Sequence, residues 1–332
     1  MEVIPTHPRC AEHVDALRDQ VNSALKQLVP ETTPPELYDP VRYVLEGGGK
    51  RLRPVLLLLA AEAFGATTSA ALPAAQAVEV FHNFTLVHDD IMDRAQERRG
   101  RPTVHVQWDT STAILSGDYL LALSYDLLAQ VPTTQLARLI RTYHQMVRRL
   151  CEGQTLDTVF ENREGVSVEA YLDMIDGKTG ALLRACLELG GLIGGAGERH
   201  LEALAAAGTH LGRAFQIQDD LLDLVADDDR WGKVIGGDLM EGKKTYLLLR
   251  ALEQAEGPMY DWFARIVRDN GLPADLVPEA RDRMASLGIM QEARAAVEEH
   301  TLAAHGQLSA LPGSQALDTL RWLIAKMRAR VH

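Results

Sequence analysis

Leu86-Val87-His88-Asp89-Asp90-Ile91-Met92-Asp93 decides how this chain is read. It closes an apolar stretch from Ala70 to Phe84 whose hydrophobic spacing predicts a helix. Asp89 and Asp93 are i and i+4, so their carboxylates share one helix face, with Asp90 beside them. Like charges that close repel, and a solvated surface tolerates the arrangement only at a cost. A hard divalent cation, which prefers carboxylate oxygen, is the more natural reason to gather them. The pattern returns further on as Gln216-Ile217-Gln218-Asp219-Asp220-Leu221-Leu222-Asp223. One such cluster can be an ordinary acidic helix end. Two of them, each set in an apolar helix, predict a site. Facing each other they can hold several Mg²⁺ ions, and Mg²⁺ favours sites that a substrate phosphate completes. The ligand implied is a phosphorylated or diphosphorylated molecule.

The remaining composition narrows the class. The 332 residues are 46% hydrophobic with 5% aromatics, and Ala and Leu dominate, which favours helix throughout. A net charge of −12 argues against a nucleic-acid partner, and a polyanionic substrate then needs local cations. The three cysteines, Cys10, Cys151 and Cys186, are odd in number and widely spaced, which predicts reduced thiols. The N-terminus has no basic region ahead of an apolar core, and no apolar run is long enough to span a bilayer. A cytoplasmic protein with no transmembrane segment is expected.

Helices are predicted over 10–29, from Pro34-Pro35 to Leu45, and over 55–64, 70–93, 111–130, 134–157, 168–192 and 199–225, with more from Asp261 onward. Gly47-Gly48-Gly49 then Lys50-Arg51-Leu52-Arg53-Pro54 suits an anion at a helix start, or else a glycine cap followed by a solvated basic turn. Arg98-Arg99-Gly100-Arg101-Pro102 reads as a loop with two guanidiniums fit for phosphate. Gly177-Lys178-Thr179-Gly180 interrupts its helix, either as a kink exposing a cation and a hydroxyl or as a loop between short helices. The charged, Gly-containing segment with Lys233 after the second cluster suits a lid. No strand alternation and no linker stand out, so one all-α domain over 1–332 is expected, a large helical bundle around a central cavity.

Together these residues resemble the trans-isoprenyl diphosphate synthases. The likeness runs in the family's order from about Glu46 to Thr245. It takes in Gly48-Gly49-Lys50-Arg51-Leu52-Arg53-Pro54, the first aspartate motif with Arg98-Arg99-Gly100, Gly177-Lys178-Thr179 and Phe215-Gln216. Lys233 and Glu241-Gly242-Lys243-Lys244-Thr245 complete it. The resemblance implies a short-chain prenyltransferase joining isopentenyl diphosphate to an allylic diphosphate, with three Mg²⁺ per site and a homodimeric chain. Asp89, Asp93 and Asp219 would ligate Mg²⁺, with Asp90, Asp220 and Asp223 supporting. Arg98, Lys178, Gln216, Lys233 and Lys243 would hold the allylic diphosphate, with Thr179 beside Lys178 in the catalytic group. Lys50, Arg53, His82 and Arg99 would hold isopentenyl diphosphate. His82 lies two helical turns before Asp89 on the same face, which makes that placement reasonable. By the same resemblance, bulk four and five residues before Asp89 sets product length. Phe84 is bulky, Thr85 is small and Phe81 lies a turn deeper, so a C20 product is expected over C15.

Four other readings compete, one of them a non-catalytic partner subunit of a synthase, in which the aspartate clusters would be lost whereas both are intact here. A farnesyl diphosphate synthase would differ in that wall. A class I terpene cyclase of the same fold would not need Lys50 and Arg53. Glu79-Val80-Phe81-His82 has the spacing of a di-iron ligand pair, although no second copy occurs.

Overall fold

Leu56 to Ala61 have no measurable exposure, so the helix that carries them is apolar on every side and lies inside the molecule. The computed structural model that shows this describes residues 7–29, 31–225 and 235–328. Its helices are α1 (Pro8–Lys26), α2 (Pro35–Leu45), the buried α3 (Leu52–Ala63), α4 (Thr68–Met92), the single turn α5 (Val104–Gln107), α6 (Thr110–Ala129), α7 (Leu136–Asn162), α8 (Val168–Ile175), α9 (Ala181–Gly194) and α10 (Glu198–Val225). The short α11 (Gly237–Met240) follows, then α12 (Tyr246–Gln254), α13 (Pro258–Arg268), α14 (Val277–Ser286), α15 (Ile289–Ser309) and α16 (Gln315–Arg328). The architecture is all-α, as expected.

Side-chain caps set several starts. Thr67 accepts from the Ala70 N–H, Asp109 from Thr112 and Ser167 from Ala170. The end of α4 matters most for the site. Asp93 is its C-cap, Arg94 follows at φ 52°, and the Ala95 N–H returns to the Asp90 carbonyl at 3.0 Å. This closure stops the helix on the first aspartate cluster. The negative end of the helix dipole therefore adds to the carboxylates already there.

Two local departures from the sequence reading stand out. Glu97–Arg98 and Arg101–Pro102 form a two-residue antiparallel hairpin, with Arg98 opposite Arg101. Strands that short leave no alternation to detect. Arg99 (φ 55°) and Gly100 (φ 72°) both take the left-handed conformation that a tight two-residue hairpin turn requires. Between α8 and α9, Asp176–Gly180 forms one wide π-turn, so the glycine-flanked segment is a bulge in a continuous helix and not a separate loop.

The buried apolar residues form two clusters. One gathers α1 to α7 with α9 and α16; the other gathers α8, α11 to α14 and Phe160 of α7, and α15 gives residues to both. α10 threads both, giving Leu201, Leu204 and Leu211 to the first and Ile217, Leu221 and Leu224 to the second. Each fully buried leucine contributes roughly 1.5–3 kcal/mol. The second aspartate cluster lies on the part of α10 that enters the second core.

Candidate active site

The three basic residues around the start of α3 do different things. Arg51, at φ 47°, turns inward and is 5% exposed. It pairs with Glu79 at 2.6 Å and donates to Asn22 Oδ1 and the Leu45 carbonyl, both at 2.9 Å. That commits Glu79 to a buried ion pair and removes the di-iron reading of Glu79-Val80-Phe81-His82. Lys50 is exposed on the glycine turn. Arg53 donates through Nη1 to His82 Nε2 at 3.0 Å, while its buried Nε has no hydrogen-bond partner. A buried donor left that way calls for an acceptor, and an anion supplies one. Burial and the guanidiniums of Arg53 and Arg99 hold His82 well below its ordinary pKa, so its Nε2 accepts as a neutral imidazole. From the hairpin, Arg99 donates to the Gly48 carbonyl and closes this cation-rich corner.

Arg98 belongs to the neighbouring group. Its Nε and Nη2 both reach Asp90 Oδ1 at 2.7 Å. Asp90 is 4% exposed, so as the structure places it this carboxylate braces Arg98. Asp93 is exposed and Asp89 half-buried. Burial pushes the Asp89 carboxyl up to about 6, with Lys178 opposing and Asp93 reinforcing the shift.

Lys178 stands on the π-turn with Nζ 2.5 Å from Asp157 of α7. The turn is held on three sides. Gly153 comes so close that an added Cβ would lie 2.6 Å from the Gly177 carbonyl carbon. Gly212 of α10 would similarly place a Cβ 2.5 Å from Gly180 Cα. Arg213 grips Asp176 with two bonds, at 2.8 and 2.6 Å. Thr179 then donates to Gln216 Oε1 at 2.9 Å, and Gln216 Nε2 donates to Asp220 Oδ1 at 3.1 Å.

Asp220 accepts two further bonds at Oδ2, from the Tyr171 hydroxyl at 2.5 Å and the Tyr246 N–H at 3.0 Å. Burial and Asp238 raise it to about 7 against those donors. Its oxygens are taken by the protein, so like Asp90 it backs a neighbour, here Gln216, and does not face the cleft as a direct metal ligand. Asp219 and Asp223 are partly exposed, and Asp223 Oδ2 accepts the Asp238 N–H at 3.1 Å. Arg53 lies within range of Asp219, and Lys178 within range of Asp89. Lys243 pairs with Glu241 at 2.7 Å and lies 3.6 Å from Asp238. Burial works against its charge, but these carboxylates and Asp93 outweigh it and raise its pKa. Lys244 instead caps the end of α7 through the Phe160 and Glu161 carbonyls, at 2.6 and 2.9 Å. Lys233 lies outside the described residues, as does most of the segment read as a lid.

Asp157, Tyr171 and the Arg213–Asp176 pair were missed in the sequence. A signal existed for the first. Gly153 sits inside a long helix, where glycine is costly, one turn before Asp157 and on the same face.

Among the described residues, no three carboxylate, imidazole or thiol groups form a closed metal cage. The donors at the cleft are hard carboxylate oxygens, the set Mg²⁺ selects, and Mg²⁺ needs only one or two of them beside water and phosphate. The residues present fit the metal. No helix among the described residues is long and apolar enough to cross a membrane.

An all-α bundle with carboxylates and fixed cations gathered along α3, α4, α10 and the π-turn is the architecture of an enzyme that acts on an anionic substrate. The comparisons give the family. Polyprenyl synthetases match residues 34–280. The chain is 44% identical over 246 residues to a geranylgeranyl diphosphate synthase of Methanosarcina mazei, covering 73% of this chain and 76% of that one. It is 41% identical over 266 residues to a geranylfarnesyl diphosphate synthase of Natronomonas pharaonis, covering 74% and 78%. Its fold superposes on a geranylgeranyl pyrophosphate synthetase from Pyrococcus horikoshii Ot3 with a TM-score of 0.90 at 36% identity, covering 96% and 99%. The chain belongs to the polyprenyl synthetase family of trans-isoprenyl diphosphate synthases, and it is a prenyltransferase.

Proposed function

We propose that this enzyme condenses isopentenyl diphosphate with an allylic diphosphate and releases geranylgeranyl diphosphate. The observation that carries this is the pairing of two distinct cationic groups across the aspartate clusters. Lys50, Arg53, His82 and Arg99 form one, where isopentenyl diphosphate binds. Arg98, Lys178, Gln216 and Lys243 form the other, which takes the allylic diphosphate, and Lys233 joins it by resemblance. Asp89, Asp93, Asp219 and Asp223 hold three Mg²⁺ ions, while Asp90 and Asp220 keep Arg98 and Gln216 in place.

The chemistry follows from charge. Breaking the allylic C–O bond separates a carbocation from a diphosphate anion. Bound Mg²⁺ supplies Lewis-acid stabilisation of that leaving charge. Lys178 and Arg98, fixed in advance by Asp157 and Asp90, add donors that need no reorganisation. The Thr179 hydroxyl and the Gln216 amide keep the π-turn in register with α10. Arg53 and neutral His82 orient the second diphosphate, so that its double bond meets the cation, and the proton then lost passes to the released diphosphate.

The C20 product rests on Phe84, with Thr85 leaving room beside it and Phe81 buried below. The Methanosarcina mazei relative carries the name of such an enzyme. The Natronomonas pharaonis relative is named for a different product, so the wall residues of this chain carry the assignment. We also propose a homodimer, supported by exposed Val106 on α5, Trp108 just after it, and Ile114 and Leu115 on α6. A reducing, cytoplasmic setting is supported by three unpaired cysteines. The test is incubation with Mg²⁺, isopentenyl diphosphate and each of the C5, C10 and C15 allylic primers, followed by chain-length analysis. A dominant C20 product supports the reading. Cyclic hydrocarbon formed without isopentenyl diphosphate would replace it with a terpene cyclase.

A further inference from the structure

Glycine weakens a helix interior relative to alanine, so Gly117, buried in the middle of α6, needs a packing reason. The reason is one imidazole. A Cβ built at Gly117 would fall inside van der Waals contact with His88 Nε2 and Cδ2, and 3.1 Å from Cε1. The whole edge of the His88 ring rests on the bare glycine. One turn back on α6, the Ile114 carbonyl accepts from His88 Nε2 at 3.3 Å. These two features fix where the ring stands.

What the ring then touches is Phe84. The two meet edge to face, with centroids 4.8 Å apart and planes at 66°. Phe84 meets Phe81 at 5.3 Å, Phe81 meets Tyr143 at 5.7 Å, and Tyr143 meets Tyr125 at 5.1 Å. The ladder starts beside Asp89 and runs down α4 before crossing to α7 and α6. Its deep rungs are immobile, because Phe81 and Tyr143 are fully buried. Phe84 is only partly buried, and on the side towards Asp89 the ring it meets is that of His88.

We propose that Gly117 is a specificity-determining residue that acts through His88. It seats the imidazole that steadies Phe84, and so sets where chain elongation stops. The inference rests on the reading of Phe84 as the wall of the elongation cavity. The Gly117 collision involves the far end of a side chain. A methyl there is accommodated by rotating His88 off the Ile114 carbonyl and away from Phe84, while the backbone of α6 stays in place. His88 is a positioning residue in this account, adjacent to Asp89 but not itself among the metal or diphosphate groups.

The test is the product distribution of the purified enzyme with Mg²⁺, isopentenyl diphosphate and dimethylallyl diphosphate. Gly117→Ala is expected to keep Mg²⁺-dependent condensation while the share of products longer than the wild type's principal one rises several-fold. His88→Ala is expected to shift the distribution the same way. The double variant is expected to match His88→Ala alone, because the methyl acts only by displacing a ring that is then absent. An unchanged distribution in either single variant overturns the proposal, and so does a double variant whose shift is the sum of the two. Should Gly117→Ala prove insoluble, His88→Ala decides, since it adds no atom to the interface. Phe84→Ala separates the two layers of the argument. If it lengthens the product while Gly117→Ala and His88→Ala do not, only the seating role fails. If it leaves chain length unchanged, the wall reading fails and takes this proposal with it.

Discussion

Asp89 shows how a clustered carboxylate strains the fold that holds it. It is half-buried, one turn from Asp93, at the negative end of α4, and its carboxyl is raised from 3.8 to about 6. A group whose folded pKa lies above its unfolded value favours folding only while it holds its proton. That contribution is present below about pH 4 and is lost as the pH rises through about 6. Metal-free enzyme should therefore lose stability across this window, and Mg²⁺ with inorganic diphosphate should restore it at neutral pH. Asp89→Asn removes the buried charge without changing shape. We expect its metal-free melting temperature at pH 7.5 to rise by about 1–3 °C, while turnover falls by about two orders of magnitude or more. Thermal scans with and without Mg²⁺, run beside a turnover assay, check both halves; a lower melting temperature would remove the argument. The two proposed anion groups are expected to separate kinetically. Arg53→Ala should raise KM for isopentenyl diphosphate about 10–100-fold and spare the allylic substrate, whereas Lys178→Ala should do the reverse. Equal effects on both substrates in steady-state kinetics would merge the two groups into one. At this scale the sequence told which aspartates cluster, because i and i+4 spacing is fixed by helix geometry. It did not tell which way Asp90 and Asp220 point, because that depends on Arg98, Tyr171 and Tyr246, which are distant or turn-borne partners.

At the scale of elements, the π-turn is the part on which the others converge. α7 approaches it through Gly153, α10 through Gly212 and Arg213, and Asp157 holds the lysine it presents. The extra residue in the turn widens the backbone, and that width brings Lys178 towards Asp89 and Thr179 towards Gln216 together. Gly153→Ala tests the arrangement, because the added methyl would meet backbone at Lys178 and Gly177 and cannot be relieved by a rotamer. We expect a loss of about 1–3 kcal/mol in stability from overpacking. The larger consequence should be functional: KM for the allylic diphosphate rises as Lys178 moves, with KM for isopentenyl diphosphate little changed. Denaturant melts and two-substrate kinetics measure these, and a stability loss with both KM values unchanged would reduce the turn to scaffolding. Helices were legible because their apolar periodicity is long, and α4 and α10 begin within about two residues of expectation. The hairpin and the π-turn were not, since each rests on a few dihedrals that no periodicity records.

For the molecule as a whole, α10 and α15 each give residues to both apolar clusters, as Leu204 with Leu221 and Leu308 with Val297 show. Neither cluster can be exposed without fraying a helix that the other needs. We therefore expect the chain to behave as one domain, with a single calorimetric transition whose van't Hoff and measured enthalpies agree. The same scale holds one surface that the fold leaves uncovered. Val106 and Trp108 are 42% and 37% exposed, and Ile114 and Leu115 are 43% and 60% exposed. Four large apolar side chains on neighbouring elements amount to a patch, and a patch of this kind marks an interaction site. A second copy of the chain is the partner the homodimer reading assigns to it. The patch shares α6 with Gly117, so an intact dimer would also steady the helix on which His88 rests. Leu115→Arg places a charge at the most exposed of the four positions, where a buried interface would have to desolvate it. Sedimentation velocity at micromolar concentration should show a dimer for the wild type and a monomer for Leu115→Arg, with unchanged helicity by circular dichroism. A wild-type chain that sediments as a monomer, or a variant that remains dimeric, would move the interface elsewhere or abolish it.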